Sequence, residues 1–80
     1  MIRVLFFGKV ADILGREIHV SLPGAGCTIA DLRRRIADQT GSDILLQPGV
    51  RASVDKQVTT DEGRVSAKSE VAFFSLFSGG

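Results

Sequence analysis

The sequence predicts an α+β fold, with one helix packed on one face of a mixed sheet. Three observations carry this. The runs at residues 2–7 and 70–75 are the most apolar of the chain and read as strands. Only one segment between them, from Thr28 to Gly41, holds a sustained helical pattern. The rest is short alternating runs broken by Gly, Pro and Asp. At 80 residues the chain is expected to form one domain over 1–80, with a flexible tail at about 75–80.

Ile2-Arg3-Val4-Leu5-Phe6-Phe7 is β-branched and aromatic and ends at Gly8. Lys9 to Leu14 fits a short helical turn stopped by Gly15. Residues 17–22 alternate strictly, with Ile18, Val20 and Leu22 on one face, and Pro23-Gly24 turns the chain. These first two strands should form a hairpin-like pair. Thr28 is a good N-cap, with Asp31 three residues on. Ile29, Leu32, Ile36 and Ala37 make an apolar stripe, Asp31 and Arg35 form an i,i+4 pair, and Gly41 ends the helix. Ile44, Leu45 and Leu46 should plug one end of the core before the turn at Pro48-Gly49. Residues 50–54 alternate with Val50, Ala52 and Val54 inward. Asp55-Lys56 is a tight turn, and Gln57-Val58-Thr59 an edge strand. Val65 should pin a polar loop to the core. The first and last strands would be parallel central neighbours joined through the helix crossover. A mixed sheet with one helix across one face is the β-grasp, or ubiquitin-like, architecture.

The charge balance excludes several function classes. Ten basic and nine acidic side chains leave a net charge of +1, which argues against nucleic acid as a partner. One Cys and one His fill neither a disulfide framework nor a structural zinc site, so no metal site is expected. The first apolar run contains Arg3 and is too short for a signal peptide or a membrane span. A cytoplasmic protein without a membrane partner is expected. The usual catalytic side chains are nearly lacking.

One helix covers one face of a sheet. Yet Leu5 and Phe7 oppose Ile2, Val4 and Phe6, and Ala72 and Phe74 oppose Val71 and Phe73. Strands apolar on both faces need layers on both sides. Leu5, Phe7 and Phe74 therefore form an exposed partner-binding patch, unless residues 44–46 or the tail fold over them. The tail ends in Ser78-Gly79-Gly80. Two residues without Cβ atoms give the slimmest chain and leave a terminal carboxyl unhindered. That carboxylate is a poor electrophile, so acyl chemistry there requires activation, most simply as an acyl-adenylate made by another enzyme.

The opening Met1 to Phe7, the late Glu70-Val71-Ala72-Phe73-Phe74 and the final Ser78-Gly79-Gly80 resemble the MoaD branch of the MoaD/ThiS sulfur-carrier family, the small subunits of molybdopterin synthase. The resemblance covers essentially the whole chain. It implies that a ubiquitin-activating-like adenylyltransferase, using ATP and Mg²⁺, adenylates Gly80. A sulfur donor protein then converts it to a thiocarboxylate. The tail, with Phe77, Ser78 and Gly79, threads into the large synthase subunit and gives sulfur to cyclic pyranopterin monophosphate. The carrier binds no cofactor itself, the large subunit holds the catalytic side chains, and two of each subunit form a heterotetramer. The resemblance also implies that Phe7, Val58 and Phe74 contact the partner. Other thiocarboxylate pathways (thiamine, cysteine, transfer-RNA thiolation) and a ubiquitin-like modifier are the alternatives.

Three departures from the family pattern stand out. Ser75-Leu76 replaces the usual two prolines, Phe77 is bulkier than the usual aliphatic residue, and Ala67-Lys68-Ser69 replaces an acidic Gly-containing turn. Cys27 before the helix is read as packing, in a place mildly favourable to a thiolate. His19 is read as solvated, and Arg33-Arg34-Arg35 as a solvated helix face.

Overall fold

A computed structural model describes residues 1–75. A five-stranded sheet sets residues 17–20, 2–7, 71–75, 50–54 and 57–59 side by side in that order. Its strands are β1 (Ile2–Phe7), β2 (Glu17–Val20), β4 (Val50–Val54), β5 (Gln57–Thr59) and β7 (Val71–Ser75). β1 and β7 are parallel neighbours, with Val4 opposite Val71 and Phe6 opposite Phe73; the other pairs are antiparallel. Helix α2 (Ile29–Thr40) supplies the crossover, and the short α1 (Lys9–Leu14) links β1 to β2. This is the β-grasp that the sequence predicts.

The core forms where the helix stripe meets the inward residues of the sheet. Ile29, Leu32 and Ile36 are fully buried against Val4, Phe6, Val71, Phe73 and Ala52, which are buried as completely. Each such aliphatic or aromatic side chain contributes about 1.5–3 kcal/mol relative to exposure. Thr28 caps α2, its Oγ1 accepting from the Asp31 amide at 3.2 Å, and Gly41 ends it at φ 75°. The Asp55-Lys56 turn closes the β4–β5 hairpin in two residues, both left-handed, at φ 52° and 71°. Asp55 also reaches β7. Its amide donates to the Glu70 carbonyl at 2.8 Å, and its Oδ1 accepts from the Glu70 amide at 2.9 Å.

Several expectations need correction. β2 stops at Val20; Leu22 still packs on the core, but from outside the strand. β7 starts at Val71: at the next rung the Asp55 amide still donates to the Glu70 carbonyl, but the Glu70 amide donates to the Asp55 side chain instead of its backbone. Residues 27–28 and 64–65 form a second, two-stranded sheet, β3 (Cys27–Thr28) with β6 (Arg64–Val65), which no alternation pattern announces. Gly26 permits this pairing. It has φ +78°, and a Cβ there would lie 2.2 Å from the Val65 carbonyl oxygen. Val65 is buried, as expected, but within a strand. The turn before β7 is held by serines rather than glycine: the Ser66 amide donates to Ser69 Oγ at 2.9 Å and the Ser69 amide to the Ser66 carbonyl at 3.0 Å.

The arginine run is the largest correction. Asp31 pairs with Arg34 at 3.2 Å, not with Arg35. Arg33 is not solvated. Only 13% of its side chain is exposed, and it bonds Asp61, Leu45 and Val50. Residues 44–46 form a 3-10 turn (Ile44–Leu46) held on the helix side by that contact. Leu45 is buried, while Leu46 is half exposed.

Candidate functional site

With residues 44–46 on the helix side, nothing among the described residues covers the other face of the sheet. The register sets out that face in rows. One row runs Glu17, Leu5, Ala72, Ser53, Val58 across all five strands. The next runs Phe7, Phe74, Arg51. Phe7 is 54% exposed and Val58 68%, whereas Leu5 and Phe74 are half-buried. Phe7 and Phe74 are thus brought side by side, with Leu5 one row away. Val58 is not part of that cluster. It lies three strands from Leu5, about 14 Å at ordinary strand spacing, with Ala72 and Ser53 between.

Charge frames the apolar cluster. Arg51 lies beside Phe74 and Glu17 beside Leu5, both exposed. Arg3 and His19 form the row beyond Leu5. Sequence reasoning missed Arg51 as a member of this face. The signal was there: with Val50, Ala52 and Val54 pointing in, Arg51 and Ser53 must point out. Past Phe7 the face continues into a groove of about 670 Å³ lined by Leu5, Phe7, Ala11, Asp12, Arg16 and Glu17, among others.

The remaining polar candidates take plain roles. His19 is exposed, and its carbonyl accepts from Gln39 Nε2 at 3.0 Å. Cys27 is buried and unpaired in a disulfide. Burial pushes its thiol above the ordinary value of 9.0, Asp31 adds to this, and Arg35 and Arg64 oppose it. The mild thiolate preference expected beside the helix start is therefore overridden by desolvation. Among the described residues no group of three or more His, Cys, Asp or Glu could hold a metal ion. No described helix is long and apolar enough to cross a membrane. Phe77, Ser78, Gly79 and Gly80 lie outside the described residues, as does Leu76.

A β-grasp domain with one bare apolar face defines a small ubiquitin-like protein. Residues 4–80 match the ThiS family, so the chain belongs to that family of sulfur carriers. The fold is shared with solved structures at low identity. SAMP1 from Haloferax volcanii superposes with a TM-score of 0.79 at 19% identity, covering 99% of this chain and 98% of that one. A protein described as molybdopterin converting factor, subunit 1, from Pyrococcus furiosus superposes at 0.76 with 16% identity, covering 92% and 94%. No curated protein matches the chain.

Proposed function

We propose that the protein is the sulfur-carrier subunit of a molybdopterin synthase and that the carboxylate of Gly80 is its reactive group. The single observation that carries the carrier role is the ThiS-family match, which runs through Gly79 to Gly80, and the likeness to a protein described as a molybdopterin converting factor subunit favours this pathway. The bare Phe7–Phe74 face supports it, because a carrier must be held by each enzyme that acts on its tail. A Gly80 carboxylate oxygen attacks the α-phosphorus of ATP on a ubiquitin-activating-like adenylyltransferase, and pyrophosphate leaves. Hydrosulfide released by a sulfur donor protein then attacks the acyl carbon, AMP leaves and the sulfur loses its proton, giving a thiocarboxylate. The large synthase subunit positions that sulfur against cyclic pyranopterin monophosphate in an assembly with two copies of each subunit. Activation is needed because the bare carboxylate, ionised at neutral pH, resists nucleophiles. ATP and Mg²⁺ belong to the activating enzyme.

Intact mass tests the reading. The protein is incubated with the adenylyltransferase of its own organism, Mg-ATP and a sulfur source. Replacement of one oxygen by sulfur, localised to Gly80, is the expected result. No mass gain overturns it. The likeness to a small archaeal modifier protein favours a second reading, in which a lysine amine attacks the same acyl-adenylate. That reading predicts isopeptide-linked Gly80 in the same reaction when sulfur is withheld and proteins are supplied.

A further inference from the structure

Arg51 and Glu17 carry opposite charges at the rim of the open apolar cluster, and both are exposed. The ion pairs among the described residues, Arg33 with Asp61 and Arg34 with Asp31, are made by arginines of α2 and use neither of them. A surface that covers the cluster desolvates both rim charges. It strands them unless it supplies their opposites.

The register places these two charges symmetrically. Leu5, Phe7, Ala72 and Phe74 form a square, because β1 and β7 are neighbours and the two rows lie two residues apart. Glu17 extends the Leu5 row by one strand on the β2 side. Arg51 extends the Phe7 row by one strand on the β4 side. They therefore end a diagonal that runs ~14 Å across the strands and ~7 Å along them. The midpoint of that diagonal is the centre of the square.

Such a layout is self-complementary. In a two-fold contact both copies offer the same patch, so each feature must meet its complement at the symmetry-related position. A second copy laid on the open face meets this condition when the two-fold axis is parallel to the sheets, passes through the centre of the square and is perpendicular to the diagonal. Arg51 then faces Glu17 of the second copy, and Glu17 faces Arg51 of the second copy. One geometry makes the ion pair twice. The axis runs close to the line from Phe7 to Ala72, so Phe7 meets Phe7 of the second copy, while Leu5 meets Phe74 of the second copy. Arg3 and His19, in the next row, fall opposite Ser53 and Val58, away from like charge.

We propose that the open face binds a second copy of this chain, as a two-fold dimer with Arg51–Glu17 ion pairs on either side of a Leu5–Phe7–Phe74 core. An anionic lipid surface fits less well, because it rewards cations alone and repels Glu17. The inference does not depend on the carrier reading. Under that reading, a second copy and a partner enzyme compete for one face, and self-association holds the carrier back from docking.

The experiment is sedimentation equilibrium of the full chain from about 10 µM to about 1 mM, the range expected for a contact of this small size. The mass of wild type should rise from 8.5 kDa towards twice that value. Arg51→Glu and Glu17→Arg each set like charges against one another at both ends of the diagonal, and each should weaken the dimer at least ~10-fold. The double variant Arg51→Glu with Glu17→Arg restores opposite charges and should return the dissociation constant to within about threefold of wild type. Amide chemical shifts of wild type on dilution give a check that needs no variant. They should move at Leu5, Phe7, Glu17, Arg51 and Phe74 and stay fixed along α2. A monomer at every concentration overturns the proposal. So does a dimer that ignores both single reversals, fails to recover in the double variant, or shifts α2 on dilution, since each places the contact elsewhere.

Discussion

The two faces of the sheet each receive a phenylalanine from β1 and from β7, and these like side chains meet opposite fates. In β1, Ile2, Val4 and Phe6 are at most 3% exposed, while Phe7 is 54% exposed. In β7, Phe73 is fully buried and Phe74, the next residue, only half so. Hydrophobicity does not separate these neighbours. The difference is the second layer, because α2 lies over one face and no described element lies over the other. An apolar side chain is core only where another layer meets it.

The sharpest way to break this comparison is to truncate both phenylalanines of β7. Phe73 stacks near Phe6, with ring centroids 6.3 Å apart, and lies under Arg33. Phe73→Ala should cost about 3–5 kcal/mol in urea unfolding, from lost transfer energy plus the cavity left behind. Phe74→Ala should cost less than about 1.5 kcal/mol, since much of its ring already meets water. Equal losses would mean that the bare face is core after all.

The next test asks whether the bare face is a docking face. Phe7→Asp should leave the unfolding midpoint close to wild type and, under the proposed function, abolish co-purification with a large synthase subunit. The burial of one such anchor contributes about 1.5–3 kcal/mol. That corresponds to affinity lower by roughly 10- to 150-fold. If the variant unfolds, Phe7 is structural. If it folds and still binds undiminished, the partner uses another surface, and the groove beside α1 becomes the next place to substitute.

Much of the fold was legible because its signals are local or periodic. The Thr28 cap, the Ile29-Leu32-Ile36 stripe and the Asp55-Lys56 turn each lie within a few residues of sequence, and all three stand in the structure. The bare face was legible for the same reason, since alternation in β1 and β7 assigns Phe7 and Phe74 to one side. What was not legible depends on distant partners. β3 and β6 are two residues each and exist only because Gly26 allows the backbone to approach Val65. Arg33, Arg34 and Arg35 read alike as a basic run. Their fates differ because Asp61, 28 residues away, and two carbonyls meet only the first of them. Charge in a helix predicts solvent by default, and a largely covered guanidinium with acceptors from three segments has no one-dimensional signature.

The smallest predicted effect concerns a polarisable group on the covered side. Cys27 is 3% exposed, and burial raises its thiol pKa above 9.0. In the unfolded chain the thiol ionises at its ordinary value, so below that pH both states keep the proton and stability is unaffected. As pH rises past it, the unfolded chain loses its proton first while the folded chain retains it. Stability therefore falls with rising pH until the folded thiol also ionises. Between pH 7 and 10, wild type should lose more unfolding free energy than Cys27→Ala, whose own change isolates the other titrating groups. Parallel pH profiles for the two proteins would mean that the thiol at Cys27 feels the same surroundings folded and unfolded. The covered and bare faces would then differ less in dielectric than their exposures imply. A slow reaction of native Cys27 with a thiol reagent, brought to full rate by urea, is the independent check on that same burial.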